Sequence, residues 1–174
     1  MAQVKGKFIT LTGFLMLGSN EKALKFSDDI LFAKTGKHWN EIEPEGWYDT
    51  SIFNGFMKSY EASTFDKNAI VEVGRNVYPT IKKTVGLPPE IKTAYDLIVF
   101  EATGFELNHN GDDVKPRQFI KKEDGHVIVK APAPGYTQKL YIGVFLGILE
   151  MFGITNGKVT MTKGEPDFEY EIKW

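Results

Sequence analysis

The chain has 174 residues, of which 42% are hydrophobic and 25% charged, and its net charge is −2. This is a globular balance, enough for one domain over residues 1–174 with a sizeable core, and it speaks against disorder. The near-neutral charge disfavours nucleic acid as a partner, and the absence of cysteine excludes disulfides, thiol catalysis and thiolate metal sites.

Taken in chain order, the first two-thirds read mostly helical. Phe8, Leu11, Phe14, Leu15 and Leu17 fit a helical stripe, although Thr10 and Thr12 leave a strand open. No cleavage-like site follows this segment, so a buried amphipathic element is expected rather than a targeting peptide. Ser19 or Asn20 can cap a second helix that buries Ala23, Leu24, Phe26, Ile30 and Leu31 and ends at Thr35-Gly36-Lys37. Residues 41–46 form an acidic loop flanked by Trp39 and Trp47. Asp49 or Thr50 caps a third helix carrying Ile52, Phe53, Phe56, Met57 and Tyr60. Asp66 caps a helix running through Ile70, Val73, Val77 and Ile81, with a kink expected at Pro79. Pro88-Pro89 start a further helix, with Ile91, Ala94, Tyr95, Ile98 and Val99 as its apolar face.

The pattern changes after Gly104. Phe105–Asn108 is a candidate strand, and residues 110–113 have loop chemistry. Gln118–Lys122 and His126–Ala131 read as two strands joined at Glu123-Asp124-Gly125, where Asp-Gly signals a hairpin. Pro132-Ala133-Pro134-Gly135 breaks the sheet, and a helix follows from about Thr137 to Gly153. Its apolar run, Leu140–Ile154, falls short of the ~20 residues a bilayer span needs, so a cytoplasmic protein without a membrane span is expected. The end of the chain is a hairpin. Lys158–Thr162 alternates, Gly164-Glu165-Pro166-Asp167 turns, and Phe168, Tyr170, Ile172 and Trp174 share one apolar face opposite Glu169, Glu171 and Lys173. That face is expected to lie on the preceding helix. The fold class is α+β: helices on one face of an antiparallel sheet, with a C-terminal helix followed by a β-hairpin.

No catalytic or metal-binding set assembles from these residues. His38, His109 and His126 lack metal-ligand spacing and read as structural or surface groups. Residues 108–113 lack the acidic positions of a calcium loop. Glu41, Glu43 and Glu45 form a solvated cluster with nothing apolar beside them to raise a pKa. Gly143 and Gly147 make a G-x-x-x-G spacing that lets a helix approach a neighbour closely, or leaves a cleft for a flat ligand. The aromatic content, thirteen Phe, seven Tyr and three Trp, is enough for a core and for an apolar pocket.

Several short motifs in a shared order carry a family resemblance. They are Val4-Lys5-Gly6 before a helix, Ile42-Glu43-Pro44-Glu45-Gly46-Trp47-Tyr48 before another, and Val73-Gly74-Arg75 at a third. Gly143-x-x-x-Gly147 and the segment Gly164–Trp174 complete the set. Together they resemble the bacterial haem-NO-binding-associated and 4-vinyl-reductase-type domains, whose superfamily includes Bet-type subunits of the TRAPP tethering complex. The resemblance implies helices on an antiparallel sheet, and a domain that binds small hydrophobic molecules, haem or acyl chains, or acts as a dimeric scaffold. In the H-NOX branch a central-helix histidine and a Y-x-S-x-R motif hold haem. The comparable helix here, Glu90–Ala102, has no histidine, and Tyr136-Thr137-Gln138-Lys139-Leu140 keeps only the tyrosine. This argues against haem held in the H-NOX manner and leaves the cofactor unknown.

The resulting expectation is a non-enzymatic sensor or binding domain for a small hydrophobic ligand in bacterial signalling. Trp47, Tyr95, Tyr136, Phe145 and Met151 are the expected ligand-lining residues, chosen as large or adaptable side chains near element junctions. The alternatives are a dimeric interaction scaffold, binding a second copy or a signalling protein, and a haem-based gas sensor using His38 or His126.

Overall fold

The computed structural model describes residues 1–132, 136–164 and 167–174. Part of two expected turns, Ala133–Gly135 and Glu165-Pro166, lies outside the described residues. A short strand β1 (Gln3–Lys5) leads into α1 (Gly6–Ser19) and α2 (Glu21–Thr35). Asn20 caps α2 by accepting from the Ala23 backbone N–H at 3.1 Å. The buried side of α2 is Ala23, Leu24, Ser27 and Leu31. Phe26, expected inside, is 54% exposed, because it falls off the stripe that these four residues define.

Strand β2 (Trp47–Asp49) precedes α3 (Thr50–Ser63), whose cap is Asp49, accepting from the Ser51 backbone N–H at 2.7 Å. The single helix expected over residues 70–81 is two helices, α4 (Ala69–Arg75) and α5 (Val77–Thr84). The break falls at Asn76 rather than Pro79. Pro79 sits in the first turn of α5, where its missing N–H has no intrahelical partner to lose. Asp66 is not the cap of α4; its carboxylate accepts from the Asn68 N–H, one turn before the helix.

Helix α6 (Ala94–Asn108) departs most from expectation. It begins at Ala94 and not at the prolines, because Thr93 and Asp96 form a reciprocal capping box there. It also runs through Gly104, so Phe105–Asn108 is its last turn and not a strand. Strand β3 (His109–Asn110) follows directly and pairs with β1, Val4 opposite His109. With β2 on the other edge this makes a small antiparallel sheet, β2-β1-β3.

The second sheet is four-stranded and antiparallel, in the order β4 (Gln118–Glu123), β5 (His126–Lys130), β7 (Glu169–Lys173), β6 (Lys158–Lys163). The β4–β5 turn at Asp124-Gly125 is as expected, with Gly125 at φ 85°. Val127, Val129, Tyr170 and Ile172 form its buried face. Helix α7 (Gln138–Met151) packs on that face, with Phe145 and Tyr170 ring centroids 5.8 Å apart. The expected α+β architecture, C-terminal helix and hairpin are therefore present. Among the described residues no helix is long and apolar enough to cross a membrane.

The other side of α7 meets α4 backbone to backbone. A Cβ on Gly143 would collide with the Val71 carbonyl, and one on Gly147 with the Arg75 carbonyl. The G-x-x-x-G spacing is thus filled by a helix, not by a flat ligand. Gly143→Ala is expected to lower stability in urea unfolding by roughly 3 kcal/mol, the upper end of overpacking costs, since backbone cannot rotate away. Gly55→Ala on α3, where a Cβ meets nothing within 4 Å, should instead stabilise by about 0.5–1 kcal/mol.

Candidate functional site

Between α1, α5, α6 and α7 the packing leaves a cavity of about 410 Å³. That is within the usual size of small-molecule sites. Its walls are apolar: Phe8 and Leu11 from α1, Phe53 from α3, Val77 and Ile81 from α5, Phe100 and Phe105 from α6, Leu140 and Val144 from α7. Leu87 and Pro88, in the segment after α5, complete one rim. A few polar groups converge on it: Tyr78, Glu101, Asn108, His109, Tyr136 and Tyr141.

Two buried constellations set the electrostatics. In the first, Glu101 occupies the apolar stripe of α6 between Ile98 and Phe105. Its carboxylate accepts from Arg117 Nε and Nη2, both at 2.8 Å. The guanidinium is stacked between the Phe105 ring, 4.1 Å from its centroid, and the Tyr141 ring at 4.5 Å. Burial works against the Arg117 charge, and the Glu101 carboxylate outweighs it, so the pKa lies above its ordinary value. Burial pushes the Tyr141 phenol up to about 12 and that of Tyr78 well above its ordinary range. The pair is neutral as a unit and faces a wall of neutral phenols.

The second constellation is a hydrogen-bond chain. His109, at the C-cap of α6, has Nδ1 2.8 Å from the Phe105 carbonyl and Nε2 2.6 Å from the Tyr136 hydroxyl. A carbonyl only accepts, so Nδ1 carries the proton. Its imidazole stacks on Phe105 with centroids 3.9 Å apart. Burial lowers its pKa to about 4; the bond to the Phe105 carbonyl opposes this and the charge of Arg117 adds to it. The ring is therefore neutral at pH 7, Nε2 offers a lone pair, and the Tyr136 hydroxyl donates to it.

Of the residues expected to line a pocket, Tyr136 lies in this cavity and the other four lie elsewhere. Trp47 is 40% exposed on β2, with the Lys5 ammonium 4.4 Å from its ring centroid. Tyr95 is half-buried, its hydroxyl 3.5 Å from the Lys122 carbonyl. Phe145 is fully buried against Tyr170, and Met151 ends α7, packed on the core. His38 is exposed, bonded to Asp28 at 2.7 Å, and His126 is bonded to Glu171 at 2.8 Å on the sheet. Neither reaches the cavity; His109 does. The signal for Glu101 was present: it lies three residues after Ile98 and four before Phe105, on one helical face. It becomes visible only if the helix is carried past Gly104.

No family model matches this chain, and no curated protein does. Solved structures do match in shape. A member of the H-NOX family studied for haem distortion superposes with a TM-score of 0.75 at 13% identity, over 98% of this chain and 94% of that one. An oxygen-binding H-NOX domain related to soluble guanylate cyclases gives 0.70 at 13% identity, over 97% and 94%. The unliganded Fe(II) H-NOX protein of K. algicida gives 0.64 at 15%, over 97% and 95%. The chain has the H-NOX fold.

Depression of the His109 pKa ties stability to pH. Between about pH 6.5 and 4 the unfolded chain binds a proton that the native state refuses. The stabilisation is full above pH 6.5 and is lost as pH falls through that window, on the order of 3 kcal/mol in all. Unfolding measured from pH 7 to 4 should show that loss, and His109→Gln should flatten the part of it due to this residue.

Proposed function

We propose that this chain is a non-enzymatic sensor or binding domain that holds a small hydrophobic ligand, without haem, in the cavity between α1, α5, α6 and α7. The carrying observation is the combination of about 410 Å³ of space, apolar walls and an electrically neutral polar floor. An uncharged apolar molecule gains there by leaving water, and the buried charges of Glu101 and Arg117 compensate each other, with Lys7 at the outer edge.

Haem is the group that the H-NOX neighbours bring to mind, and the residues present do not fit it. His109 is the histidine at the cavity, and both its nitrogens are engaged while its face is covered by Phe105. The position of Arg117 would suit a carboxylate, but Glu101 already takes its Nε–Nη2 fork, and only Nη1, buried, is left without a partner among the described residues. A haem propionate would compete with that carboxylate in a buried place.

A separate observation supports a partner surface on α1 and α2. Phe14 and Leu17 on α1 and Phe26 and Phe32 on α2 are exposed apolar side chains. They offer what a second copy or a signalling protein needs, in keeping with the scaffold role implied by the 4-vinyl-reductase-type and TRAPP resemblance.

A neutral fluorescent probe, N-phenyl-naphthylamine, tests the cavity. It should bind one-to-one with enhanced emission and raise the melting temperature by mass action. Ile81→Trp fills the space from a half-buried wall position and should weaken binding at least about tenfold, the order set by a lost apolar contact of ~1.4 kcal/mol, with the melt retained. Equal binding by wild type and Ile81→Trp would place the probe outside the cavity and overturn the reading.

A further inference from the structure

We propose that the cavity selects a neutral apolar molecule carrying one hydrogen-bond donor, a phenol, an alcohol or an indole-type N–H, and that this donor is taken by the Tyr136 hydroxyl oxygen. The inference deepens the binding reading above and rests on it. It follows from the direction of the hydrogen bonds. The Phe105 carbonyl fixes the proton on His109 Nδ1, and the bare Nε2 then takes the Tyr136 proton. The Tyr136 oxygen is left with lone pairs only.

The neighbouring polar groups have the same bias. Asn108 donates its amide to the Gly104 carbonyl at 2.6 Å, which leaves its own oxygen as acceptor. The Glu101 carboxylate is an acceptor throughout. Lys7, at the α1 edge, is 3.7 Å from Glu45 and part-neutralised by it. Tyr78 and Tyr141, also on the lining, carry hydroxyls that can turn either way, which suits a ligand hydroxyl that donates to Tyr136 and accepts elsewhere. A carboxylate ligand would meet the acceptor-only oxygen of Tyr136 beside the fixed Glu101 carboxylate, and an ether would leave the Tyr136 oxygen dry and unpaired.

Three probes of one shape separate these chemistries: para-hexylphenol, para-hexylanisole and para-hexylbenzoate, each displacing N-phenyl-naphthylamine. The phenol should bind roughly 3- to 10-fold tighter than the anisole, the range expected of one neutral hydrogen bond, and the benzoate weakest. Tyr136→Phe alone would bare the His109 Nε2 lone pair as a substitute acceptor, so it is combined with His109→Phe; the double variant should bring the phenol down to the anisole. Anisole or benzoate binding as tightly as phenol to wild type would overturn the donor preference without touching the cavity reading. So would a double variant that still prefers the phenol. The wild-type series decides even if that variant melts early. Failure of the fluorescent probe itself in wild type would instead overturn the binding reading and this inference with it.

Discussion

The buried pair between Arg117 and Glu101 is the constraint on which the site depends. Arg117 lies just ahead of β4 and Glu101 lies in the middle of α6, so the two parallel hydrogen bonds tie the helix to the sheet layer. The guanidinium slots between Phe105 and Tyr141, one from α6 and one from α7. Three elements are therefore held at one point. Burying two charges costs several kcal/mol before their attraction and hydrogen bonds offset it, so such a pair contributes more to fixing a geometry than to net stability. The geometry it fixes is the inner wall of the cavity, and the pair takes up the charge that an ionic ligand would otherwise seek.

Two further constraints keep the space open. The glycine contacts of α4 and α7 pull those backbones together on one side, so α5, continuing from α4, stands away from α6. On the other side β1 pairs with both β2 and β3, which anchors the start of α1 and the end of α6 in one small sheet. His109 sits where that sheet meets α6, and its orientation is fixed twice, by the pairing with Val4 and by the Phe105 carbonyl. A rigid histidine of known tautomer makes the Tyr136 hydroxyl directional.

Much of this was legible in the sequence, and the exceptions have physical reasons. Local chemistry was legible where one residue decides it: Asn20 and Asp49 are each one of the two caps offered, the Asp124-Gly125 turn is as read, and Tyr170 and Ile172 share the buried face of the last strand, although Glu169, expected on the wet face, is buried too. The N-terminal sheet escaped notice because its strands span three, three and two residues, too short to show a period of two. Gly104 was read as a stop, but propensity loses to packing in the interior of α6, and the helix runs one turn further. That turn carries Phe105 and brings His109 to the cavity, whereas all three histidines were read as structural or surface groups and only His38 and His126 were offered as alternatives for haem. Tyr136 was chosen, like the other four, as a large or adaptable side chain near an element junction, and it alone of the five lies on this cavity. Size and adaptability mark a filled core as readily as an open cavity, and Phe145 fills the core.

In this reading the H-NOX-shaped chain holds its ligand without haem. The direct measurement is native mass spectrometry, with an absorbance spectrum, on protein purified from haem-replete cells and again after incubation with excess haemin. The expected result is a colourless protein, bare or carrying a small neutral organic adduct, with no stoichiometric haem mass and no Soret band of a ligated iron in either sample. A one-to-one haem complex with His109 as its ligand, abolished by His109→Gln, would contradict it.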